Sequence, residues 1–266
     1  MKPPVPSREI PQTLLLRAYG RTVALDGPAP ALAAARERLP STYRLGRTPP
    51  ERRWAVREQS GTGWAALVED QVLTFRDSAV EATEAVLSDL ELWVAEFARK
   101  WVFVHAGCVA VDGQAVVLPG RSMSGKSSLT AALVRAGADY YSDEYAVLDN
   151  QGLVRPYARK PVIRPHEGAP PGRLRIEELG GRVGRGPAKI KLIAVLRFDP
   201  GAGWQPEPLG RGPALLRLLD NTVAARSRPR AVLSALEGAT LDACALEGTR
   251  GDADDTAARL MAILSR

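Results

Sequence analysis

The sequence predicts an α/β fold: a mixed sheet flanked by helices, with a small N-terminal α+β lobe. Three observations predict it. A glycine loop, Gly120 to Ser127, lies between an apolar run of strand length (Gln114 to Leu118) and a helix-like segment stopped by Gly137. Asp112-Gly113 joins that strand to residues 102–111 as a hairpin, so the strand entering the loop is antiparallel to its predecessor. An all-parallel, doubly wound sheet would not contain such a hairpin. The stretch 1–78 reads as short strands and one short helix, with no acid-base constellation.

Each element has a local cause. Residues 1–12 hold four prolines and read as a loose tail. Thr13 to Leu25 reads as two strands broken at Gly20. Pro30 to Leu39 reads as a helix, with proline at its start and Pro40 closing it. Trp54 to Glu58 and Gly63 to Arg76 read as β segments, the latter a hairpin turning at Glu69-Asp70. Ser78-Ala79-Val80-Glu81 is a capping box heading a long helix that ends near Lys100. Its stripe of Leu90, Val94, Phe97 and Trp101 is expected to pack on the second domain's sheet. The expected domains are therefore 1–78 and 79–266.

Farther along, Lys189 to Phe198 alternates and then runs apolar, as a core strand does. Pro213 to Ala225 and Pro229 to Leu236 read as helices, and Ala239 to Leu246 as an edge strand. Asp252 to Ser265 reads as a helix whose acidic start suits its dipole.

Composition narrows the function classes. The 266 residues are 45% hydrophobic and 25% charged, which is ordinary for a globular chain with a full core. The net charge of +6 comes without a basic run, so no nucleic-acid partner is expected. The chain has no apolar run long enough to span a bilayer, and no membrane partner is expected. The start of the chain lacks a signal-peptide core, so a cytoplasmic location is the expectation. A homo-oligomer is left open. Cys108 and Cys244 are the two cysteines and read as buried small hydrophobes.

The loop carries the chemistry. Gly120-Arg121-Ser122-Met123-Ser124-Gly125-Lys126-Ser127 completes G-x-x-x-x-G-K-[ST], a phosphate-binding pattern. The glycines let backbone N–H groups approach an anion, and the first helical turn, through Ser128, adds unpaired amides. Lys126 supplies a point charge for the terminal phosphates of ATP, and Ser127 a hydroxyl ligand for Mg²⁺. Lys126 is one of six lysines against thirty arginines, which makes a lysine here informative.

Asp143-Glu144 follows Lys126 closely, and the stretch 127–142 between them leaves room for one helix and one strand. In most motor-like ATPases and GTPases the metal-side acid arrives only after a further strand and helix. The expected roles are Asp143 accepting a hydroxyl proton and Glu144 joining Ser127 at Mg²⁺. The two roles are exchangeable, because at a strand end the chain can turn both side chains toward one ion and the longer side chain of Glu144 reaches further. His105 alternates in its strand with Phe103 and Val109, and reads either as a core histidine or as a neighbour tuning Asp143. His166 reads as a loop residue. Arg182, Arg185 and Lys189 read either as charge stabilisers for a transferring phosphoryl group or as a solvated face.

Residues 105–149 resemble the catalytic domain of the HPr kinase/phosphorylase family, whose core phosphoenolpyruvate carboxykinase shares. The resemblance rests on His105 in the strand before the loop, on Gly120 to Ser127, and on Asp143-Glu144. It continues more loosely through the glycine-rich stretch to Phe198. Two features depart from the pattern: the family's second acid is usually Asp, and the stretch 1–78 does not match its N-terminal domain. The resemblance implies a P-loop kinase core that transfers the γ-phosphoryl group of ATP, with Mg²⁺, to a hydroxyl, with serine of a protein or peptide expected. HPr itself is not the expected acceptor. The catalytic set implied is Asp143, His105 and Lys126. Two other readings stay open, a nucleotide-binding module that recognises a peptide without transfer, and an ATP hydrolase.

Overall fold

The computed structural model describes residues 12–59, 63–120, 124–163 and 172–264. The proline-rich start read as a tail lies outside them, Gln12 excepted. The chain divides into two compact units between Arg99 and Lys100.

The first unit runs through β1 (Gln12–Ala18), β2 (Arg21–Gly27), α1 (Ala29–Arg38), β3 (Arg44–Leu45), β4 (Arg52–Gln59), β5 (Gly63–Val68), β6 (Gln71–Arg76) and α2 (Ala79–Phe97). Its strands form a six-stranded sheet in the order β3-β1-β2-β4-β5-β6. The two hairpins close as expected, at Tyr19-Gly20 (φ 51° and 81°) and Glu69-Asp70 (φ 47° and 61°). Left-handed conformations at both central residues match the right-handed twist of the flanking strands.

Helix α2 starts at Ser78, whose Oγ accepts from the Glu81 N–H at 3.2 Å. Its buried face, Val86, Leu87, Leu90 and Val94, packs on β4 and β5. Asp89 on the same helix accepts from Trp54 Nε1 at 2.8 Å. The helix therefore belongs to the first unit, which corrects the expected boundary at residue 78. The reason is physical: the first sheet covers Leu90 and Val94 of the expected stripe, whereas Phe97 is exposed and Trp101 lies beyond the helix end.

The second unit begins with β7 (Val102–Val111), β8 (Gln114–Pro119), α3 (Lys126–Arg135), β9 (Asp139–Ser142), β10 (Tyr145–Leu148) and β11 (Val154–Arg155). It continues with β12 (Val162–Ile163), β13 (Gly172–Arg173), β14 (Lys189–Phe198), β15 (Glu207–Pro208), α4 (Arg211–Leu219), α5 (Pro229–Thr240), β16 (Cys244–Arg250) and α6 (Ala253–Leu264). A mixed sheet runs β11-β10-β7-β8-β14-β16-β15, with β9 also paired to β7. β7 and β8 are antiparallel through the Asp112-Gly113 turn, whereas β8, β14 and β16 are parallel.

Alternation along β8 divides the core. Val116 and Leu118 pack with Leu129 and Leu133 of α3 and Leu260 of α6. Ala115 and Val117 pack on the other face with Leu218 of α4 and Val232 and Leu236 of α5. Each fully buried leucine of this kind stabilises the unit by roughly 1.5–3 kcal/mol. The result is an α/β unit, a mixed sheet with helices on both faces.

Three expectations are corrected. The strand read at Ala239 to Leu246 begins only at Cys244, and it lies inside the sheet between β14 and β15. Residues 239 and 240 instead finish α5, where Ala239 is buried on its apolar face. The helix read from Pro213 to Ala225 ends at Leu219, and only a short 3-10 turn follows, at Val223–Ala225. Cys108 is buried, but Cys244 is exposed. Among the described residues no helix is long and apolar enough to cross a membrane.

Candidate active site

Strand β8 delivers the chain to Gly120, and α3 receives it at Gly125. Gly125 has φ 82°, which only glycine adopts without strain. A Cβ there would also stand 2.5 Å from a guanidinium nitrogen of Arg250. No side chain caps the start of α3. Lys126 Nζ donates to the Gly120 carbonyl at 2.7 Å. Burial pulls the Lys126 ammonium below the usual lysine range, and Glu144 and Asp143 partly offset this. Ser124 is half-buried and Ser128 lies exposed on the first turn of α3. Arg121, Ser122 and Met123 of the loop, and His166, lie outside the described residues.

Strand β9 ends beside the loop. Ser142 Oγ accepts from the backbone N–H groups of Glu144 (3.0 Å) and Tyr145 (2.9 Å). This local turn folds the strand end so that both acidic side chains reach one place. Asp143 is buried and Glu144 half-buried.

Ser127 Oγ donates to Asp143 Oδ2 at 3.2 Å. The Tyr140 hydroxyl donates to Asp143 Oδ1 at 2.8 Å and accepts from the Asp143 N–H at 3.1 Å. That reciprocal brace fixes the carboxylate. Burial, then the charge of Asp143, push the Tyr140 hydroxyl well above the usual tyrosine range.

Glu144 has different neighbours. His105 Nε2 lies 3.5 Å from Glu144 Oε1, and Arg159 Nη2 donates to Glu144 Oε2 at 2.6 Å. Burial alone would raise the Glu144 carboxyl. The His105 contact and the Arg159 and Lys126 cations outweigh it and bring it down to about 2. Arg159 Nε also stands 3.5 Å from Asp143 Oδ1.

The structure thus brings His105, Lys126, Ser127, Asp143 and Glu144 together. The neighbours differ from the expected ones in two respects: Asp143, not Glu144, is the carboxylate at Ser127, and His105 faces Glu144, not Asp143. The backbone explains the second. The Ala106 N–H donates to the Glu144 carbonyl at 3.1 Å, and His105 pairs across strands with Tyr145.

The basic residues proposed from sequence lie elsewhere. Arg182 pairs with Asp139 at the start of β9, at the other end of that strand from Asp143. Lys189 pairs with Asp242 at 2.7 Å and opposes Gln114, at the end of β8 away from the loop. Arg185 is exposed. All three belong to a solvated face.

Two other arginines contact the site's residues, Arg159 at the carboxylates and Arg250 at the loop. Arg250 is 2% exposed, donates to the carbonyls of Gly125 (2.9 Å) and Gly251 (2.8 Å), and lies over Phe198. It braces the loop from behind, where the cavity between loop and sheet measures about 10 Å³ and admits no ligand group. A roomier groove of about 560 Å³ in the first unit is lined by Phe75, Asp77, Glu81, Glu84 and Ser88 among others, and the Ser88 hydroxyl donates to the Glu84 backbone carbonyl at 2.9 Å.

Among the described residues no three His, Cys, Asp or Glu side chains form a metal cage. Neither models of known protein families nor curated protein sequences match this chain.

Proposed function

We propose that the chain is an ATP- and Mg²⁺-dependent kinase that transfers the γ-phosphoryl group to a hydroxyl, serine of a protein or peptide being the expected acceptor. The observation that carries the reading is the Ser127–Asp143 contact at 3.2 Å, with Glu144 and His105 beside it. It joins a phosphate loop to a pair of carboxylates held in unlike surroundings. The resemblance of residues 105–149 to the HPr kinase/phosphorylase catalytic domain supports the same reading.

The residues present fit the group. Gly125, Lys126 and the amides opening α3 would hold the phosphates. Ser127 and Asp143 would hold Mg²⁺, since the Ser127 hydroxyl already points at that carboxylate. ATP supplies the phosphoryl group and Mg²⁺ neutralises its charge.

Glu144 then stands on the acceptor side, the exchange of roles that the strand end permits. Phosphoryl transfer has a loose transition state, so positioning and charge neutralisation dominate over proton removal. A carboxylate held at about pKa 2 suits that task. It orients the hydroxyl as a charged acceptor and takes the proton late. His105 and Arg159 hold it in place.

The test is incubation of the full chain with γ-labelled ATP, Mg²⁺ and a degenerate mixture of serine-containing peptides. Acid-stable label on peptide serine is the expected result. Phosphate release at one rate with or without peptide would identify a hydrolase, and tight ATP binding without either product would identify a binding module.

A further inference from the structure

We propose that the outer edge of β6, together with the groove between β6 and α2, docks an extended peptide segment that carries lysine or arginine at alternate positions. The proposal concerns the first unit alone and does not rest on the kinase reading.

The edge is open. β6 is the last strand of its sheet, and among the described residues no strand pairs with its outer side. An edge strand presents unpaired N–H and C=O groups, to which an extended chain can add as a further strand. The groove of about 560 Å³ lies beside this edge, between Arg76-Asp77 at the end of β6 and the face of α2 that carries Glu81, Glu84 and Ser88.

The side chains of β6 alternate between two surroundings. Thr74 and Arg76 oppose Ala66 and Trp64, on the side of the sheet that α2 covers. Phe75 opposes Ala65 and Val72 opposes Leu67, on the other side. Val72 and Phe75 are 49% and 55% exposed. An added strand would alternate likewise, one set of side chains entering the groove and the other lying beside Val72 and Phe75.

Charge selects the occupant. Asp77, Glu81 and Glu84 line the groove with one cation, Arg76. Glu84 is held by Arg38 at 2.8 Å. Arg76 is turned back on its own strand, where Nη1 donates to the Phe75 carbonyl at 2.7 Å and meets the Thr74 hydroxyl. Asp77 and Glu81 are exposed, and among the described residues neither carboxylate enters an ion pair. The chain as a whole carries a net +6, so this strip is acidic against the average. Two uncommitted carboxylates beside an open strand edge favour a cationic extended segment and repel an acidic one.

The experiment is fluorescence anisotropy of the full chain with a short labelled peptide of alternating valine and lysine, and with a matched peptide of valine and glutamate, followed by hydrogen exchange of the bound chain. The lysine peptide should bind and slow amide exchange in residues 71–76. The glutamate peptide should not bind. Neutralising both carboxylates, Asp77→Asn with Glu81→Gln, should weaken the lysine peptide roughly threefold to tenfold, the worth of two exposed ion pairs. Carboxylates that serve only the dipole of α2 would instead shift the melting temperature and leave peptide affinity unchanged, which overturns the proposal. Equal binding of the two peptides, no binding of either, or binding without protection at 71–76 also overturns it. A parent dimer protected at 71–76 without peptide would put a second copy on this edge and overturn the peptide as occupant. The two peptides compared on the parent decide the matter should the double variant fail to melt cooperatively. None of these outcomes bears on the phosphate loop of the second unit.

Discussion

Each unit of the chain buries an arginine between two carboxylates, and the two clusters differ in what surrounds them. In the first unit Arg38, 7% exposed, lies at the end of α1 with Nε 2.8 Å from Glu84 and Nη1 2.8 Å from Glu91, both on α2. These are charge contacts bent away from good hydrogen-bond angles. In the second unit Arg159 meets Asp143 and Glu144, adjacent residues at a strand end, within reach of Ser127, Lys126 and His105. Arg38 ties helix to helix, and its carboxylates lie on one helix, apart from any glycine loop among the described residues. A buried ion pair alone does not make a site. The second cluster differs in having the glycine loop beside it and two carboxylates with unlike neighbours, and the proposed function rests on that difference.

The comparison breaks first at the carboxylates of the second unit. Glu144→Gln removes the acceptor-side charge and should cut transfer by roughly 10²–10⁴-fold with Mg·ATP binding nearly kept. Asp143→Asn should instead raise the Mg²⁺ concentration needed for transfer, because it neutralises the carboxylate at Ser127. Single-turnover transfer measured against Mg²⁺ for both variants separates the two roles. Transfer at the parent's rate and Mg²⁺ dependence in both variants would leave the pair a structural cluster with no part in transfer.

Arg38→Met should do the opposite. Removing one partner of a buried charge cluster costs about 3–5 kcal/mol, read as a lower denaturation midpoint of the first unit. ATP affinity should not change. A loss of ATP binding at unchanged stability would erase the distinction between the clusters.

The smallest effect concerns pH. In the folded chain the Glu144 carboxyl lies at about 2, against an ordinary 4.5. A depressed carboxyl stabilises the fold above its unfolded value, and that contribution is lost as pH falls from 4.5 toward 2. The melting temperature of the parent should therefore drop across this window, and Glu144→Gln should flatten part of the drop. Parallel curves for parent and variant would show that the carboxylate gains nothing from His105 and Arg159.

Much of this was legible in the sequence, for local reasons. The Asp112-Gly113 hairpin, the glycine loop and the acidic pair one helix and one strand beyond Lys126 are contiguous signals, and each lies in the expected element. What escaped depends on contacts distant in sequence. Arg250 touches the loop from the far end of the second unit. Arg159 is one arginine among thirty. Tyr140 could have been noticed, since it lies on the same short strand that leads into Asp143. The stripe on α2 predicted a packed face but was assigned to the wrong sheet, the second unit's, because amphipathic spacing identifies a buried side without its partner. The exchange of Asp143 and Glu144 followed from a turn set by Ser142 Oγ, which spacing does not resolve.

Calorimetric titration of Mg·ATP into the parent chain and into Lys126→Ala tests the central claim most directly, that the Gly120–Ser128 loop holds nucleotide phosphates. The parent should bind, and the variant should lose binding while its melting curve stays cooperative, since Lys126 is half-buried and its hydrogen bond to the Gly120 carbonyl lies within the loop. Equal affinity in parent and variant would contradict the phosphate-loop assignment and the transfer chemistry built on it.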